Sequence, residues 1–349
     1  RSRRQRQMCI RDRYSNDDFL VREVWIEPRY VKYSNARFTI LQLKKCNINT
    51  FDAISEFSKL IGVHPSQISY SGLKDEDGIT TQIISVEHLL KEDYSVQLNC
   101  YSGAWVNLKV LGYSREPLYI GRLLGNTFKV TLRGIDKGQY DQFMAFTKGS
   151  TKISIINYYD NQRFGIPKSL HNTHIIGKCI LEGNWQEALK EYLKSGNSKE
   201  EKNLLLQRSK VMSCEQAFRQ TLDYRKLSFL LNSYMSYQWN QRVSRLFKQS
   251  GLPVHSFDNE VMQLTFINDL CDTMKIQNYD EYIFFTCNED SSFVEHSKKR
   301  RLLIDSDIFL DVTEDDLFDN RIKVDLNFYM PSGSYATMLV KQLMDYIAQ

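Results

Sequence analysis

The sequence predicts an α+β fold in which a mainly helical block interrupts a β-rich domain. Before about residue 160, runs of alternating apolar residues typical of strands surround a single amphipathic helical segment. Residues 180–280 instead hold apolar stripes at helical spacing, and short strand-like runs return only after residue 283. A helical block between two β-rich blocks indicates a discontinuous domain with an insertion.

The β-rich block begins with two strand candidates, DFLVREVWIE and ARFTILQLKK. In the first of these, we expect Phe19, Val21 and Val24 to face the core. A helix follows, with Thr50 as its expected cap and Gly62 as its end. The runs QISYSGL, GITTQIISV, WVNLKVLGY and NTFKVTLRG are further strand candidates. This order of elements is typical of an α+β domain around a largely antiparallel sheet.

The helical block is clearest at residues 184–193, where Trp185, Ala188, Leu189 and Tyr192 fall on one stripe. A similar spacing of apolar residues continues further along the chain. After the block, the runs FFTC, RRLLID and KVDLNFYM are short strand candidates. These runs predict that the chain returns to the first domain.

Composition and cysteine usage are typical of a globular protein with reduced thiols. The chain has 349 residues, 42% of them hydrophobic and 25% charged, and this length favours two domains. No run approaches the ~18 apolar residues of a membrane-spanning helix. The seven cysteines are scattered and never form a Cys-x-x-Cys pair, which indicates a cytoplasmic protein without a zinc site. His171 and His174 have no cysteine at finger-like spacing, so we predict no metal.

Positive charge is concentrated at the N-terminus. Residues 1–13, RSRRQRQMCIRDR, hold six Arg and one Asp, so the rest of a chain with formal charge +4 is near neutral. The run from Met8 to Arg13 reads like a translated sequencing adapter, and we expect residues 1–13 to be a non-native scar. The alternative is a basic arm that binds nucleic acid. Evidence for an RNA partner must therefore come from other residues.

An acidic turn, Lys74-Asp75-Glu76-Asp77-Gly78, joins two predicted strands. Asp and Gly are ordinary turn formers, so a plain polar turn is one interpretation. A calcium loop fails, because Leu73 and Ile84 would fall on its first and last ligand positions. The alternative hypothesis is that Asp75, held at the end of a buried strand, serves as a nucleophile or base.

Residues 121–128, GRLLGNTF, form a second candidate segment. It lacks both the Gly-Lys-Ser/Thr ending of a phosphate-binding loop and the G-x-G-x-x-G spacing of a dinucleotide site. Arg122, Asn126 and Phe128 instead suit a flipped nucleobase, because Asn can bond its edge and Phe can stack on its face. A plain turn that leads to a core Phe128 is the other interpretation.

Two further segments carry groups suited to anions. Residues 157–165, NYYDNQRFG, include Arg163, which could clamp a phosphate or a carboxylate. Residues 331–337, PSGSYAT, end a strand and open a helix whose free N–H groups could bind an anion. Loop structure and helix capping explain the same features without a ligand.

Taken together, six segments resemble the TruD family of pseudouridine synthases, which isomerise uridine in tRNA. They occur in the family's order: DDFLVREV (17–24), SGLKDEDGITTQ (71–82), GRLLGNTF (121–128), NYYDNQRFG (157–165), SYMSYQWN (233–240) and PSGSYATML (331–339). The resemblance implies a pseudouridine synthase catalytic domain with a curved, largely antiparallel mixed sheet flanked by helices. It assigns residues 14–155 and 305–349 to this domain, and residues 156–304 to the mainly helical insertion domain of the family.

The resemblance also implies roles for individual residues. Asp75 matches the catalytic aspartate of the G-x-K-D motif, and Phe128 matches the ring expected against the target base. Phe19, Asn126 and Tyr335 match substrate-contacting positions.

Two positions depart from the family pattern. Tyr335 stands where the family more often has Phe, which keeps a stacking face and adds a hydroxyl that needs a partner. The basic active-site residue of the family would fall on Arg13, inside the expected scar.

A tRNA partner requires a local basic cleft more than a large net charge. We expect Lys74, Arg122, Arg163 and Lys168 to line it, while residues 298–301 form either a further basic patch or a solvated helix end. Pseudouridine formation exchanges no electrons or atoms with other molecules, so the resemblance implies no cofactor, nucleotide or metal. It also implies a monomer that modifies uridine 13 of tRNA, with structured or messenger RNA as alternative targets.

Two other functions are open on the sequence alone. A truncated N-terminus would leave a tRNA-binding protein or RNA chaperone without turnover. A metal-dependent nuclease that uses Asp75 and Asp77 would need bound Mg²⁺. For the synthase, Asp75 either attacks the sugar or assists its deprotonation, and both routes are open.

Overall fold

The structure is a computed structural model. It describes residues 14–72, 74, 78–97, 103–147, 151–165, 169–270, 279–288, 290 and 292–348. Four residues singled out above, Arg13, Asp75, Asp77 and Lys168, lie outside the described residues, as does the whole of segment 1–13.

The chain divides into two compact units, each assembled from separate stretches of sequence. The first consists of residues 1–153, 306–336 and 347–349, and the second of residues 154–305 and 337–346. The family resemblance assigns residues 337–346 to the first domain, whereas the structure groups them with the second unit. The limits of the two functional domains remain a prediction.

The secondary structure follows the expected alternation of blocks. The strands are β1 Phe19–Trp25, β2 Phe38–Cys46, β3 Ile68–Tyr70, β4 Ile79–Val86, β5 Tyr94–Gln97, β6 Trp105–Ser114, β7 Leu123–Ile135, β8 Thr151–Ile156, β9 Val254–Asn259, β10 Met262–Ile267, β11 Tyr279–Cys287, β12 Phe293–Arg301, β13 Leu303–Glu314 and β14 Ile322–Pro331. The α-helices are α1 Thr50–Ile61, α2 Lys137–Thr147, α3 Thr173–Leu181, α4 Trp185–Lys194, α5 Lys199–Arg208, α6 Cys214–Thr221, α7 Tyr224–Gln249 and α8 Ala336–Ile347. None of the described helices combines the length and the apolar character needed to cross a bilayer.

Ten strands form one mixed sheet. Its order is β5-β6-β2-β4-β1-β7-β14-β13-β8, and β3 pairs with β4 beside this path. β1 and β4 are parallel, whereas β1 and β7, β7 and β14, and β2 with both β4 and β6 are antiparallel. The predicted α+β class with a largely antiparallel mixed sheet is therefore confirmed.

Helix α1 covers one face of the sheet in the first unit. Asn49, in place of the expected Thr50, caps its start by accepting a 2.9 Å hydrogen bond from the Asp52 amide. Gly62 ends the helix in the left-handed conformation, with φ at +69°. The apolar stripe of α1 packs on β2, β4 and β6 in a core that includes Ala53, Ile54, Phe57, Leu41, Leu43, Ile84, Val106 and Leu108. Each large side chain of this kind contributes roughly 1.5–3 kcal/mol when fully buried.

The second unit contains helices α3 to α7, the hairpins β9–β10 and β11–β12, most of α8 and the end of β8. Gly177 allows α3 to approach α7, since a Cβ at this position would lie 2.0 Å from the Leu230 carbonyl oxygen. The expected helical tract from 180 to 280 is wrong beyond Gln249, because residues 254–267 form β9 and β10. Gly251 and Pro253 precede this hairpin, and both residue types end helices.

The basic run at residues 298–301 belongs to β12, so the alternative of a solvated helix end is wrong. Lys298 lies opposite Tyr282 and Arg300 lies opposite Asp280 in the antiparallel ladder with β11. The run is extended because it completes a hairpin with an aromatic-rich partner strand. Arg300 is buried, whereas Lys298 is exposed.

Candidate active site

The pairing of β1 with β7 brings four side chains to one face of the sheet in the first unit. In the antiparallel pair of β1 and β7, Val21 lies opposite Phe128 and Glu23 lies opposite Asn126. Opposed residues share a face, and alternate residues along a strand also share it. Phe19, Glu23, Asn126 and Phe128 therefore project from the same face.

The aromatic residues on this face form a stack. The ring centroids of Phe128 and Phe328 are 5.4 Å apart with an interplanar angle of 18°, and Phe19 lies 6.1 Å from Phe128 at a tilt of 51°. Phe19 is 1% exposed and Phe328 is 4% exposed, whereas Phe128 is half-buried. The position of Phe128 suits contact with a base, while that of Phe19 suits support of the Phe128 ring more than contact with substrate.

Asn126 presents a polar atom beside this stack. Its Oδ1 atom is buried and has no hydrogen-bond partner among the described residues. A buried acceptor that is left unsatisfied costs about 1–3 kcal/mol. Asn126 is therefore an acceptor suited to a donor supplied by a ligand.

The glycine before Asn126 brings the end of β14 close to this position. A Cβ on Gly125 would lie 2.3 Å from the Met330 carbonyl oxygen and 2.5 Å from the Tyr329 hydroxyl, so no larger residue fits. Pro331 is the register partner of Gly125, and Tyr335 follows four residues later, just before α8. Tyr335 is half-buried.

The acidic turn is anchored on the side that precedes Asp75. The Lys74 amide donates a 3.1 Å hydrogen bond to Thr50 Oγ1, which in turn donates to Gln82 Oε1 at 3.0 Å. Gln82 Nε2 donates to the Gly72 carbonyl at 3.3 Å. The side chain of Lys45, which is fully buried, reaches the Lys74 carbonyl at 3.5 Å. The backbone that leads into Asp75 is thus fixed by side chains from α1, β2 and β4.

A buried ion pair adds to this anchor. The Lys74 ammonium lies 2.7 Å from Glu23 Oε1, and the two side chains are 6% and 1% exposed. The other carboxylate oxygen, Glu23 Oε2, accepts a 2.8 Å hydrogen bond from the Ile83 amide. Because the charge of Lys74 is directed into the protein, the structure does not favour Lys74 as a contact to the RNA backbone.

The side of the turn that follows Asp75 packs on the start of β1. Gly78 has φ at +84°, and a Cβ built there would lie 2.5 Å from the Phe19 carbonyl oxygen. Only glycine tolerates both the conformation and the contact. Lys74 and Gly78, the described residues that flank the turn, therefore both contact β1 on the face that carries Asn126 and Phe128.

The start of β1 is itself fixed by a charge cluster. Arg133 on β7 donates from Nε to Asp18 Oδ1 and from Nη1 to Asp315 Oδ1, each at 2.9 Å. Burial alone would lower the pKa of Arg133, but its bonds to these carboxylates and to Asp316 outweigh burial and raise it. Arg133 is therefore a permanent cation that holds Asp18, and with it Phe19, in place.

The two arginines proposed to contact RNA are both engaged within their own units. In the first unit, Arg122 stacks on Tyr119, with its guanidinium carbon 4.9 Å from the ring centroid, and donates to the Glu27 carbonyl at 3.2 Å. In the second unit, Arg163 donates from Nε to Ser236 Oγ at 3.1 Å. Both side chains are half-buried, so each keeps some accessible surface.

The polar residues that anchor the turn were not predicted from the sequence. They are Glu23, Lys45, Gln82 and Thr50, and Thr50 was expected only as a helix cap. Val24, expected in the core with Phe19 and Val21, is only half-buried, and Glu23 occupies the buried position instead. Strict alternation from Phe19 would have indicated Glu23.

Metal binding has no support within the described ranges. No three His, Cys, Asp or Glu side chains gather there, and Asp75 and Asp77 lie outside those ranges.

Comparisons with known proteins identify the family. Residues 5–237 match the family model described as tRNA pseudouridine synthase D (TruD). The chain is 28% identical to "Probable tRNA pseudouridine synthase D 1" of Methanococcus maripaludis, over 96% of this chain and 99% of the relative. It is 26% identical to tRNA pseudouridine synthase D of Aquifex aeolicus, over 96% and 98% of the two chains.

A solved TruD structure from Methanosarcina mazei has the same fold, with a TM-score of 0.63 over 95% of this chain and 93% of that one at 20% identity. These matches place the chain in a class of tRNA-modifying isomerases. The chain is a member of the TruD family of tRNA pseudouridine synthases, and the resemblance seen in its six segments is confirmed.

Proposed function

We propose that this chain isomerises uridine 13 of tRNA to pseudouridine, with Asp75 as the catalytic carboxylate. The observation that carries this proposal is the common face of Phe128 and Asn126, flanked by the two anchored sides of the Asp75 turn. The family membership supports the reaction, and the geometry of the described residues supports the parts proposed for Phe128 and Asn126.

The reaction breaks the bond from uracil N1 to ribose C1′ and forms a bond from C5 to C1′. C5 loses a proton and N1 gains one, so the product is an isomer of the substrate. Asp75 either attacks C1′ or takes a proton from C2′, and either route promotes departure of the base. Since no electrons are exchanged, we expect the reaction to need no cofactor or metal.

The target uridine must first leave its stack, which costs a few kcal/mol. Stacking on an aromatic side chain returns about 1–3 kcal/mol per base. We assign this stacking to Phe128, whose ring packs against those of Phe19 and Phe328. We propose Tyr335 as a second stacking ring. Uracil N3–H is a donor, and Asn126 Oδ1 is the buried acceptor that we pair with it.

Backbone contacts are proposed for Arg122 and Arg163, each of which keeps accessible surface. Lys74 is assigned a different role, because its ion pair with Glu23 holds the turn. We also expect a monomeric enzyme located in the cytoplasm.

The proposal is tested by incubating the purified protein with unmodified tRNA transcripts in the presence of EDTA. Carbodiimide-dependent primer-extension stops then map pseudouridine. We expect one stop at position 13 that EDTA does not prevent. A stop at a different position would overturn the assignment of the target, and cleavage that EDTA prevents would favour the nuclease instead.

A further inference from the structure

A cavity of about 440 Å³ lies in the second unit between α7 and β11. Tyr234, Gln238, Arg242 and Arg245 line it from α7. These positions are spaced by four, four and three residues, so they form one face of the helix. The volume falls within the ~300–1,000 Å³ typical of ligand pockets.

Other residues of the same helix segment are used for packing, and Trp239 contributes both to packing and to the cavity lining. Trp239 donates from Nε1 to the Asn157 carbonyl at 2.9 Å, and Asn240 bonds both the amide and the carbonyl of Tyr159. Ser233 donates to the Arg163 carbonyl at 3.0 Å. Packing contacts thus account for Ser233, Trp239 and Asn240 in the segment SYMSYQWN. Tyr234 and Gln238 of the same segment line the cavity.

The floor of the cavity is aromatic and rigid. Trp239 and Tyr282 both line it, their ring centroids are 5.8 Å apart at 84°, and both are almost completely buried. Tyr234 on the rim is half-buried, so its ring is the more accessible one. The cavity therefore presents the more accessible ring of Tyr234 for stacking, and the buried rings of Trp239 and Tyr282 make its inner part apolar.

Cations outnumber anions around this floor. Arg242 is held by Asp280 in a pair with a 2.7 Å contact from Nε to Oδ2, and Glu281 also lines the cavity. Arg245 is exposed and makes no ion pair with the described residues. Beyond the lining, Lys298 Nζ lies 5.8 Å and the buried Arg300 guanidinium carbon 5.7 Å from the Tyr282 ring centroid. Four cations and two carboxylates leave the cavity and its walls positive.

We propose that this cavity binds an unpaired nucleotide of the RNA substrate, at a site separate from the target uridine. Its base stacks on Tyr234 and its phosphate contacts Arg245. Base stacking requires an accessible base face, which a duplex hides within its own stack. The inference rests on the proposed function for the identity of the RNA, but it concerns binding and not turnover.

The test measures affinity for the unmodified tRNA transcript between 50 and 300 mM KCl, by fluorescence anisotropy with the full chain, for Tyr234→Leu and Arg245→Gln. Tyr234→Leu is expected to weaken binding at least fivefold, the lower end of a stacking contribution of ~1–3 kcal/mol. Arg245→Gln is expected to lower the slope of log Kd against log salt by roughly 0.7–0.9, which corresponds to one phosphate. A change in that slope is not produced by a structural defect alone.

Two controls sharpen the result. Lys190→Gln removes an exposed cation from α4 and should leave both affinity and slope unchanged. A blunt-ended RNA duplex without a loop should bind Tyr234→Leu and the unchanged protein equally.

The proposal is overturned if both variants bind the transcript within twofold of the unchanged protein with the same slope. It is also overturned if Tyr234→Leu weakens binding of the blunt-ended duplex as much as transcript binding. Failure of the proposed function would appear separately, as RNA bound through this cavity by an unchanged protein that forms no pseudouridine.

Discussion

Asn126 is the residue at which stability and function are expected to diverge. Its buried Oδ1 atom lacks a partner among the described residues, which costs about 1–3 kcal/mol in the free protein. Such a cost is reasonable for an atom that bonds a ligand, because the ligand then recovers the bond. The sequence alone did not decide between a ligand-binding role and a plain turn for Asn126. An amide in a strand shows its lack of a partner only when its neighbours are known.

We therefore expect Asn126→Ala to lower kcat/KM for tRNA by about 10- to 100-fold, which corresponds to one lost hydrogen bond to substrate. The free energy of unfolding should stay the same or rise, because an unsatisfied group has been removed. Single-turnover pseudouridine formation and urea unfolding measure the two effects. Asn327→Ala, on the other face of β14, is the matched control and should leave the rate unchanged. A variant that loses stability and rate together would contradict this role.

The burial of Glu23 was not predicted from the sequence, whereas the burial of its neighbours Phe19 and Val21 was. The apolar residues of β1 predicted a buried strand with Phe19 and Val21 on its core face. An acidic side chain on that face was passed over in favour of Val24, because the cation that neutralises it, Lys74, is 51 residues away in the chain. Pairs between distant residues depend on the tertiary fold and are not visible in local patterns.

Breaking this pair provides the second prediction. Glu23→Gln leaves the Lys74 ammonium buried without its partner charge, which should lower the free energy of unfolding by about 3–5 kcal/mol. Adding Lys74→Met to the same variant should restore most of the loss, since two neutral groups of similar size replace the pair. The comparison is made by urea unfolding at pH 7.

Lys129→Met serves as the control for charge removal. Its partly exposed pair with Asp325 should contribute at most ~1 kcal/mol. Equal losses for Glu23→Gln and for the double variant would show that the buried pair does not hold the turn.

At the scale of elements, the residues that flank the acidic turn are held by helix α1 and strands β1 and β4, of which only β4 adjoins them in sequence. The first side of the turn is bonded by Thr50 of α1 and Gln82 of β4, and its second side packs on β1. The strands and α1 were each predictable from their own periodicity. The hydrogen bonds between them were not, because a polar residue on a strand or helix gives no indication of its partner.

The charge cluster that joins β7 to β13 gives a pH-dependent prediction. Burial alone would raise the pKa of Asp315, but hydrogen bonds from the Gly134 and Leu317 amides and from Arg133 outweigh burial and lower it. A carboxyl with a lowered pKa in the folded state stabilises the protein fully above its unfolded pKa of about 3.9. This stability is lost as the pH falls from there through the lower folded pKa.

Asp315→Asn should therefore reduce the dependence of unfolding free energy on pH below about 4, and it should destabilise the protein at pH 7. Urea unfolding at a series of pH values measures both effects. Asp311→Asn, at an exposed position on β13, should change neither. An unchanged pH profile in Asp315→Asn would rule out the cluster as the source of acid sensitivity.

Over the whole molecule, the order of blocks was predictable and the detail of the second unit was not. Alternating and helical periodicities agree with the order of elements, since strands dominate before residue 157 and helices dominate between residues 173 and 249. The hairpin of β9 and β10 was missed within the expected helical tract. Short apolar runs are compatible with either period, and here Gly251 and Pro253 were the features that decided between them. The assignment of residues 337–346 also depends on which residues α8 contacts, a property that no local pattern contains.

We propose that the Asp75 carboxylate, which lies in sequence between the fixed residues Lys74 and Gly78, drives the isomerisation of a uridine of tRNA. The most direct measurement compares Asp75→Asn with Asp77→Asn, two isosteric changes in the same turn, by single-turnover pseudouridine formation on a tRNA transcript. We expect Asp75→Asn to bind tRNA with unchanged affinity and to form no pseudouridine. Asp77→Asn should keep a rate within about tenfold of the unchanged protein, because one hydrogen bond or charge at a non-reacting position contributes ~1.4 kcal/mol or less. Full turnover by Asp75→Asn would contradict the claim.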